Sequence, residues 1–214
     1  MPSLKSLKVR ITSVKSTQKI TRAMKTVAAA KLRRATEAAV AGRPYADRLE
    51  AVMASLASKV TVGPESPKLL AGTGSDARHL IVVATSERGL AGGFNTNIVR
   101  AARIKAEELL AQGKQVRFYI AGRKGRAAIR RFFPGMIAAD HDMGHVKSAA
   151  FAEAQAIASD LIARFGAGEF DVAHLVYSNF RSALVQEPTT IKLIPAAVPS
   201  IKGAAAEGAS AAVE

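Results

Sequence analysis

Apolar residues recur at helical spacing over residues 1–59, whereas from residue 78 onward they gather in short runs between helical stretches. Leu4, Leu7, Ile11 and Val14 share one helix face, because residues three and four apart stack on the same side. Continued in that register, the face meets Gln18, Thr21 and Lys25, all polar. It resumes out of phase at Ile20, Met24 and Val27, then Ala28, Leu32 and Ala35. Such a jump rotates the apolar stripe around the axis. A strict two-stranded coiled coil does not tolerate that; a helix that winds about a partner and changes neighbours along its length does. Residues 23–41 are rich in strong helix formers, and Ser3 suits an N-cap. At 1.5 Å per residue, 3–41 would measure about 58 Å. Gly42, Arg43 and Pro44 predict a kink or break, since proline lacks the N–H that a helix interior needs. The pattern resumes over 45–59 with Leu49, Val52, Met53 and Leu56, and Gly63, Pro64 and Pro67 end it. Residues 61–77, with Gly72, Gly74 and Ser75, read as a linker.

Beyond the linker the pattern changes. Residues 79–86 (HLIVVATS) hold an unbroken apolar run, as in a parallel strand covered on both faces. Residues 95–112 read as a helix, with Ile98, Ala101, Ala102, Leu109 and Leu110 apolar and Gly113 as its stop. A strand over 115–121, a basic helix over 123–133 ended by Pro134, and a short strand over 136–139 follow. An Ala-rich helix spans 145–165, a strand 171–179, and an alternating edge or hairpin strand 184–194. Strands alternating with helices predict an α/β open sheet, doubly wound, over 78–195. Residues 196–214 are low-complexity Ala, Gly and Ser, a loop or unfinished connection.

Charge sharpens this picture. Residues 1–43 hold eleven Lys and Arg against one acid, Glu37, and that excess is most of the chain's net charge of +14. The usual i,i+4 salt-bridge pairing is therefore missing, and like pairs such as Lys15–Lys19 cost a few tenths of a kcal/mol each. An isolated helix gains nothing from this; an acidic partner recovers the cost. The pI near 10.4 points to nucleic acid, an anionic membrane or an acidic protein surface. Aromatics are only 5% with no Trp, which disfavours base-stacking platforms. Cysteine is absent, which excludes disulfides, thiolate nucleophiles and Cys-based zinc sites. No apolar stretch is long enough to span a bilayer. Residues 1–11 imitate a transit peptide, but their pattern runs on with no cleavage-like boundary.

The best candidate for chemistry is residues 86–97 (SERGLAGGFNTN), which follow a strand and precede a helix, where dinucleotide sites sit. Gly89, Gly92 and Gly93 would let the backbone approach a phosphate, and Asn95 would cap the helix. The spacing is neither G-x-G-x-x-G nor a P-loop, so a tight βα turn accounts better for these glycines. His141 and His145 stand four apart, but Gly144 opposes a regular helix there and no third metal ligand is evident. No catalytic residue, cofactor site or metal site is assigned.

Two stretches carry a family resemblance. Residues 11–35 (ITSVKSTQKITRAMKTVAAAKLRRA), continued by 43–49 (RPYADRL), closely resemble the amino-terminal helix of F-type ATP synthase gamma subunits. Residues 86–97 are similar to that family's second signature, at the first βα turn of a Rossmann-like domain. The match covers roughly residues 1–195. The resemblance implies a non-catalytic central-stalk rotor that couples proton-driven c-ring rotation to conformational cycling of the catalytic beta subunits. Residues 1–60 would form half of an antiparallel coiled coil inside a ring of alpha and beta subunits. It further implies that Gln18, Lys19, Arg22, Met24 and Lys25 pass acidic loops of beta, with Gly89, Leu90 and Ala91 as a second approach to beta. Arg43, Pro44 and Tyr45 would face epsilon or the c-ring. The family often has Cys at the position of Ala91, so redox chemistry is excluded here. The family's carboxy-terminal helix has no counterpart after Glu214; truncation is the expectation, a naturally short form the alternative.

The implied location is peripheral, on the cytoplasmic side of a bacterial inner membrane, with the mitochondrial matrix side as alternative. Two competing functions remain. A basic nucleic-acid-binding protein predicts steep salt dependence on DNA or RNA, but the apolar stripe and the scarcity of aromatics count against it. A nucleotide-binding enzyme using residues 86–97 predicts a tight site for ATP or NAD.

Overall fold

The computed structural model describes residues 3–59, 66–144, 146 and 150–196. The chain divides into two units, Met1–Leu56 and Ala57–Glu214.

The described part of the first unit is built from one helix, α1 (Leu4–Lys59), of 56 residues, or about 84 Å, whose last three residues fall in the second unit. Ser3 caps it: its Oγ accepts the Ser6 N–H at 3.3 Å and its carbonyl accepts the Leu7 N–H at 3.1 Å. Threonines along the first half satisfy their hydroxyls locally. Thr12, Thr17 and Thr21 donate to the carbonyls of Lys8, Ser13 and Thr17 at 3.0–3.1 Å, so their polar groups do not compete with the helix ladder. Of the kink or break expected at Gly42-Arg43-Pro44, the break does not occur: Pro44 lies inside the helix. An interior proline costs about 3 kcal/mol. Stopping there would instead create two new ends, each with four unsatisfied backbone groups, and a second costly nucleation.

The second unit contains α2 (Lys68–Ala71), β1 (Arg78–Ala84), α3 (Phe94–Ala111), β2 (Gln115–Ala121), α4 (Arg123–Phe132), β3 (Ile137–His141), α5 (Phe151–Gly166), β4 (Val172–Phe180) and β5 (Gln186–Ile194). The strands form one sheet in the order β3-β2-β1-β4-β5, parallel except for β5. β1 lies at the centre, and its alternate residues feed two cores. Ile81 and Val83 pack with Phe118, Ile120 and Val176 against α3 and α4, through Ile98, Ala102, Ala106 and Ile129. Leu80 and Val82 pack with Tyr119 and Ala173 against Leu161 and Phe165 of α5. Both faces being covered explains why β1 reads as continuously apolar rather than alternating.

Two boundaries differ from the sequence reading, and part of the linker is held by contacts that the reading did not foresee. α5 begins at Phe151, not near residue 145, because Glu153 reaches back to accept the Ala150 N–H at 2.7 Å and closes the first turn there. β5 begins at Gln186; Ser182 Oγ accepts the Val185 N–H at 3.0 Å and holds Leu184 and Val185 in a turn. The 66–77 part of the linker is fastened rather than loose. The Leu69 carbonyl accepts the Ala196 N–H at 2.8 Å, and Thr73 and Ser75 donate to the Asp171 carboxylate at 3.1 and 3.0 Å. Residues 61–65 and 197–214, the rest of the linker and almost all of the tail, lie outside the described residues.

Candidate functional site

In α1, Gln18, Lys19, Arg22, Met24 and Lys25 are all exposed. At roughly 100° per residue, Gln18, Arg22 and Lys25 share one side with Lys19 on its flank. Met24 projects from the far side, where Ile20 and Val27 extend an apolar stripe. The helix thus presents a cationic face and an apolar face together. Ile11, Val14, Ile20, Met24 and Val27 are each at least half exposed, so neither face is consumed by this unit's own packing. Glu37, the one acid in the first 43 residues, pairs with Arg33 at 2.8 Å. Arg43, Pro44 and Tyr45 follow on consecutive, exposed positions of the same helix.

Gly89, Leu90 and Ala91 form an exposed loop between β1 and α3. Leu90 has φ +63° and its side chain is 93% exposed. A left-handed backbone costs a branched L-residue about 1 kcal/mol, and the side chain gains no burial in exchange. The loop's base is tied by hydrogen bonds. Asn95 Oδ1 accepts the Ser86 N–H at 2.9 Å, and Asn95 Nδ2 donates to Ser86 Oγ at 2.9 Å. Asn95 therefore pins the end of β1 to the start of α3. It is not the helix cap the sequence suggested; Gly93 occupies that position without a side-chain cap.

Next to the loop, β1 and β2 end in close backbone contact. Thr85 Oγ1 donates to the Gly122 carbonyl at 2.8 Å and accepts the Gly125 N–H at 2.9 Å. Gly122 has φ +97°, and a Cβ there would lie 2.0 Å from the Thr85 carbonyl oxygen. Gly122 and Gly125 therefore serve close packing of the strand ends.

Two buried polar clusters lie at the opposite, amino-terminal end of the central strands. Asp171 accepts from the Arg78 guanidinium at 2.9 Å and from its backbone N–H at 3.0 Å, and these hydrogen bonds, the guanidinium's above all, hold its carboxyl well below the usual range. His79 Nδ1 and His174 Nε2 are 3.1 Å apart, with the rings stacked. Asp76 lies 3.1 Å from the other nitrogen of His79. Burial lowers the His174 pKa to about 4. Both clusters join strands to loops; their partners were invisible to spacing because they are up to 98 residues apart. His141 ends β3, while His145 lies outside the described residues. Among the described residues no cluster of three metal-ligating side chains exists, and no helix is long and apolar enough to cross a membrane.

The family described as ATP synthase matches residues 3–214. The ATP synthase gamma chain of Rhizorhabdus wittichii is 69% identical over 214 residues, covering 100% of this chain and 73% of the relative. That of Erythrobacter litoralis is 59% identical over 203 residues, covering 95% and 69%. Among solved structures, a chain of the Tetrahymena thermophila mitochondrial ATP synthase central stalk and c-ring superposes with TM-score 0.60. It is 27% identical, and the match covers 82% of this chain and 72% of that one.

Proposed function

The chain belongs to the ATP synthase gamma family, and from that premise we propose that it is the rotor of an F-type central stalk. It couples proton-driven rotation of the c-ring to conformational cycling of the catalytic beta subunits and carries no catalytic residue itself. The observation that supports this most is α1, a 56-residue helix whose cations and apolar stripe are both open to partners. Exposed ion pairs contribute about 0–1 kcal/mol each. Many such weak attractions centre a shaft within an acidic ring without fixing it at one angle, whereas deep apolar knobs would create sticking points. In this reading Gln18, Lys19, Arg22, Met24 and Lys25 pass the acidic loops of beta, and an antiparallel helix covers the apolar stripe elsewhere along α1. Gly89, Leu90 and Ala91 make the second contact with beta, and Arg43, Pro44 and Tyr45 meet epsilon or the c-ring. The protein sits peripherally on the cytoplasmic side of a bacterial inner membrane. The nucleic-acid alternative has nothing beyond net charge in its favour.

Mixing the chain with alpha and beta subunits tests this. A stable, salt-sensitive complex with ATPase activity is expected; subunits that ignore the chain, beside tight salt-steep binding to DNA, would refute it.

A further inference from the structure

A groove of about 330 Å³ lies between α3 and α4. Val99, Ala128 and Phe132 form its apolar floor, and Arg100, Arg103 and Lys124 its charged wall; no carboxylate lines it. Arg103 is already engaged, lying over the Phe132 ring at 5.1 Å with Nε 3.3 Å from Glu107. Arg100 and the Lys124 ammonium have no hydrogen bond or ion pair among the described residues. Some cations of this unit are paired, as Arg126 is with Asp140 at 3.1 Å and Arg164 with Asp160 at 3.1 Å; what sets Arg100 and Lys124 apart from the unpaired ones elsewhere is that they line one apolar-floored groove. Two free cations over an apolar floor that leaves Phe132 half exposed make a surface complementary to carboxylates flanking an apolar side chain.

The groove is continuous with the 89–91 loop. The Lys124 N–H donates to the Ser86 carbonyl at 3.1 Å, and its side chain lies beside Gly89, 3.7 Å from where a Cβ would stand. Asn95, which pins the loop, also lines the groove.

We propose that the α3–α4 groove is the other half of the loop's contact surface and takes an acidic segment of the catalytic ring. An apolar side chain of that segment rests on Val99, Ala128 and Phe132, and its carboxylates meet Arg100 and Lys124. The proposal rests on the rotor reading and adds a site to it. Charge at such a site steers encounter and fixes register more than it adds affinity.

A photoreactive benzoylphenylalanine placed at Thr96, exposed on the groove wall, tests this in the chain assembled with alpha and beta subunits. The cross-link is expected in an acidic stretch of alpha or beta that also holds an apolar residue. Combining Arg100→Glu with Lys124→Glu should cut its yield about tenfold, and the Gln pair should fall between. Complexes should still form through α1, with an unchanged melting temperature for the free chain. An assembled complex with no cross-link, one outside acidic sequence, or one indifferent to charge reversal would overturn the proposal. Displacement of the cross-link by inorganic phosphate or ADP, but not by chloride at equal ionic strength, would assign the groove to a small anion and overturn it too. Failure of the unaltered chain to bind alpha and beta at all would instead sink the rotor reading.

Discussion

Leu90 is where folding and partner binding pull in different directions. Its left-handed backbone is a cost that its exposed side chain does not offset within the chain. Leu90→Gly should leave the urea midpoint unchanged or raise stability by up to about 1 kcal/mol, while weakening binding to the alpha–beta ring. A loss of stability would show that the side chain holds the loop. His174 gives a second residue-scale test. Its folded pKa, about 4, is below the ordinary value of 6.5, so the unfolded chain takes up the proton first. Its contribution is complete above pH 6.5 and is lost as pH falls towards 4, up to about 3 kcal/mol. Asp171, also depressed, adds a further loss below the unfolded carboxylate pKa near 4. Urea midpoints measured across this range should decline in two stages, and His174→Gln should flatten the upper one. An unchanged upper stage in that variant would refute the assignment. The groups facing the pair are Asp76, Lys105, Glu108 and Lys192.

Among elements, the junction of β1, β2 and α4 is the least tolerant. Gly122→Ala places a methyl in the Thr85 carbonyl at a backbone angle that alanine avoids, and should cost at least 2 kcal/mol in thermal or urea unfolding. A near-neutral result would mean the strand ends separate easily. α1 behaves oppositely. Lys19→Glu, Arg22→Glu and Lys25→Glu together should leave the helical circular dichroism almost unchanged, since these side chains support no internal packing. ATPase of the reconstituted complex should fall several-fold; loss of helix instead would contradict the partner-facing assignment. Local elements were readable where one physical cause dominates. β2 covers the same residues, 115–121, in sequence and structure, because apolar density there is bounded by Gly113 and Gly122. That α1 runs on past Pro44 without a break was less legible, because the cooperativity of its two flanks is not a property of the tripeptide. Asn95 misled: a helix-start position did not reveal that its amide reaches back to Ser86.

At the scale of the molecule, the α/β character and the long basic helix were legible, since both follow from periodicity and charge. The strand order was not. Placing β1 between β2 and β4, with β5 antiparallel at the edge, depends on contacts distant in sequence, such as Ile81 beside His174. The α3–α4 groove was equally hidden, although the run of Arg123, Lys124, Arg126, Arg130 and Arg131 on one short helix signalled a basic surface. The central claim is that α1 is a shaft held loosely by an acidic ring. A cryo-EM map of the chain assembled with alpha and beta subunits tests it most directly. The account predicts α1 on the axis of the ring, with Lys19, Arg22 and Lys25 facing acidic loops of beta and blurred over several angular positions. A map with the ring closed and α1 outside it, or with α1 bound at one fixed angle through its apolar stripe alone, would contradict it.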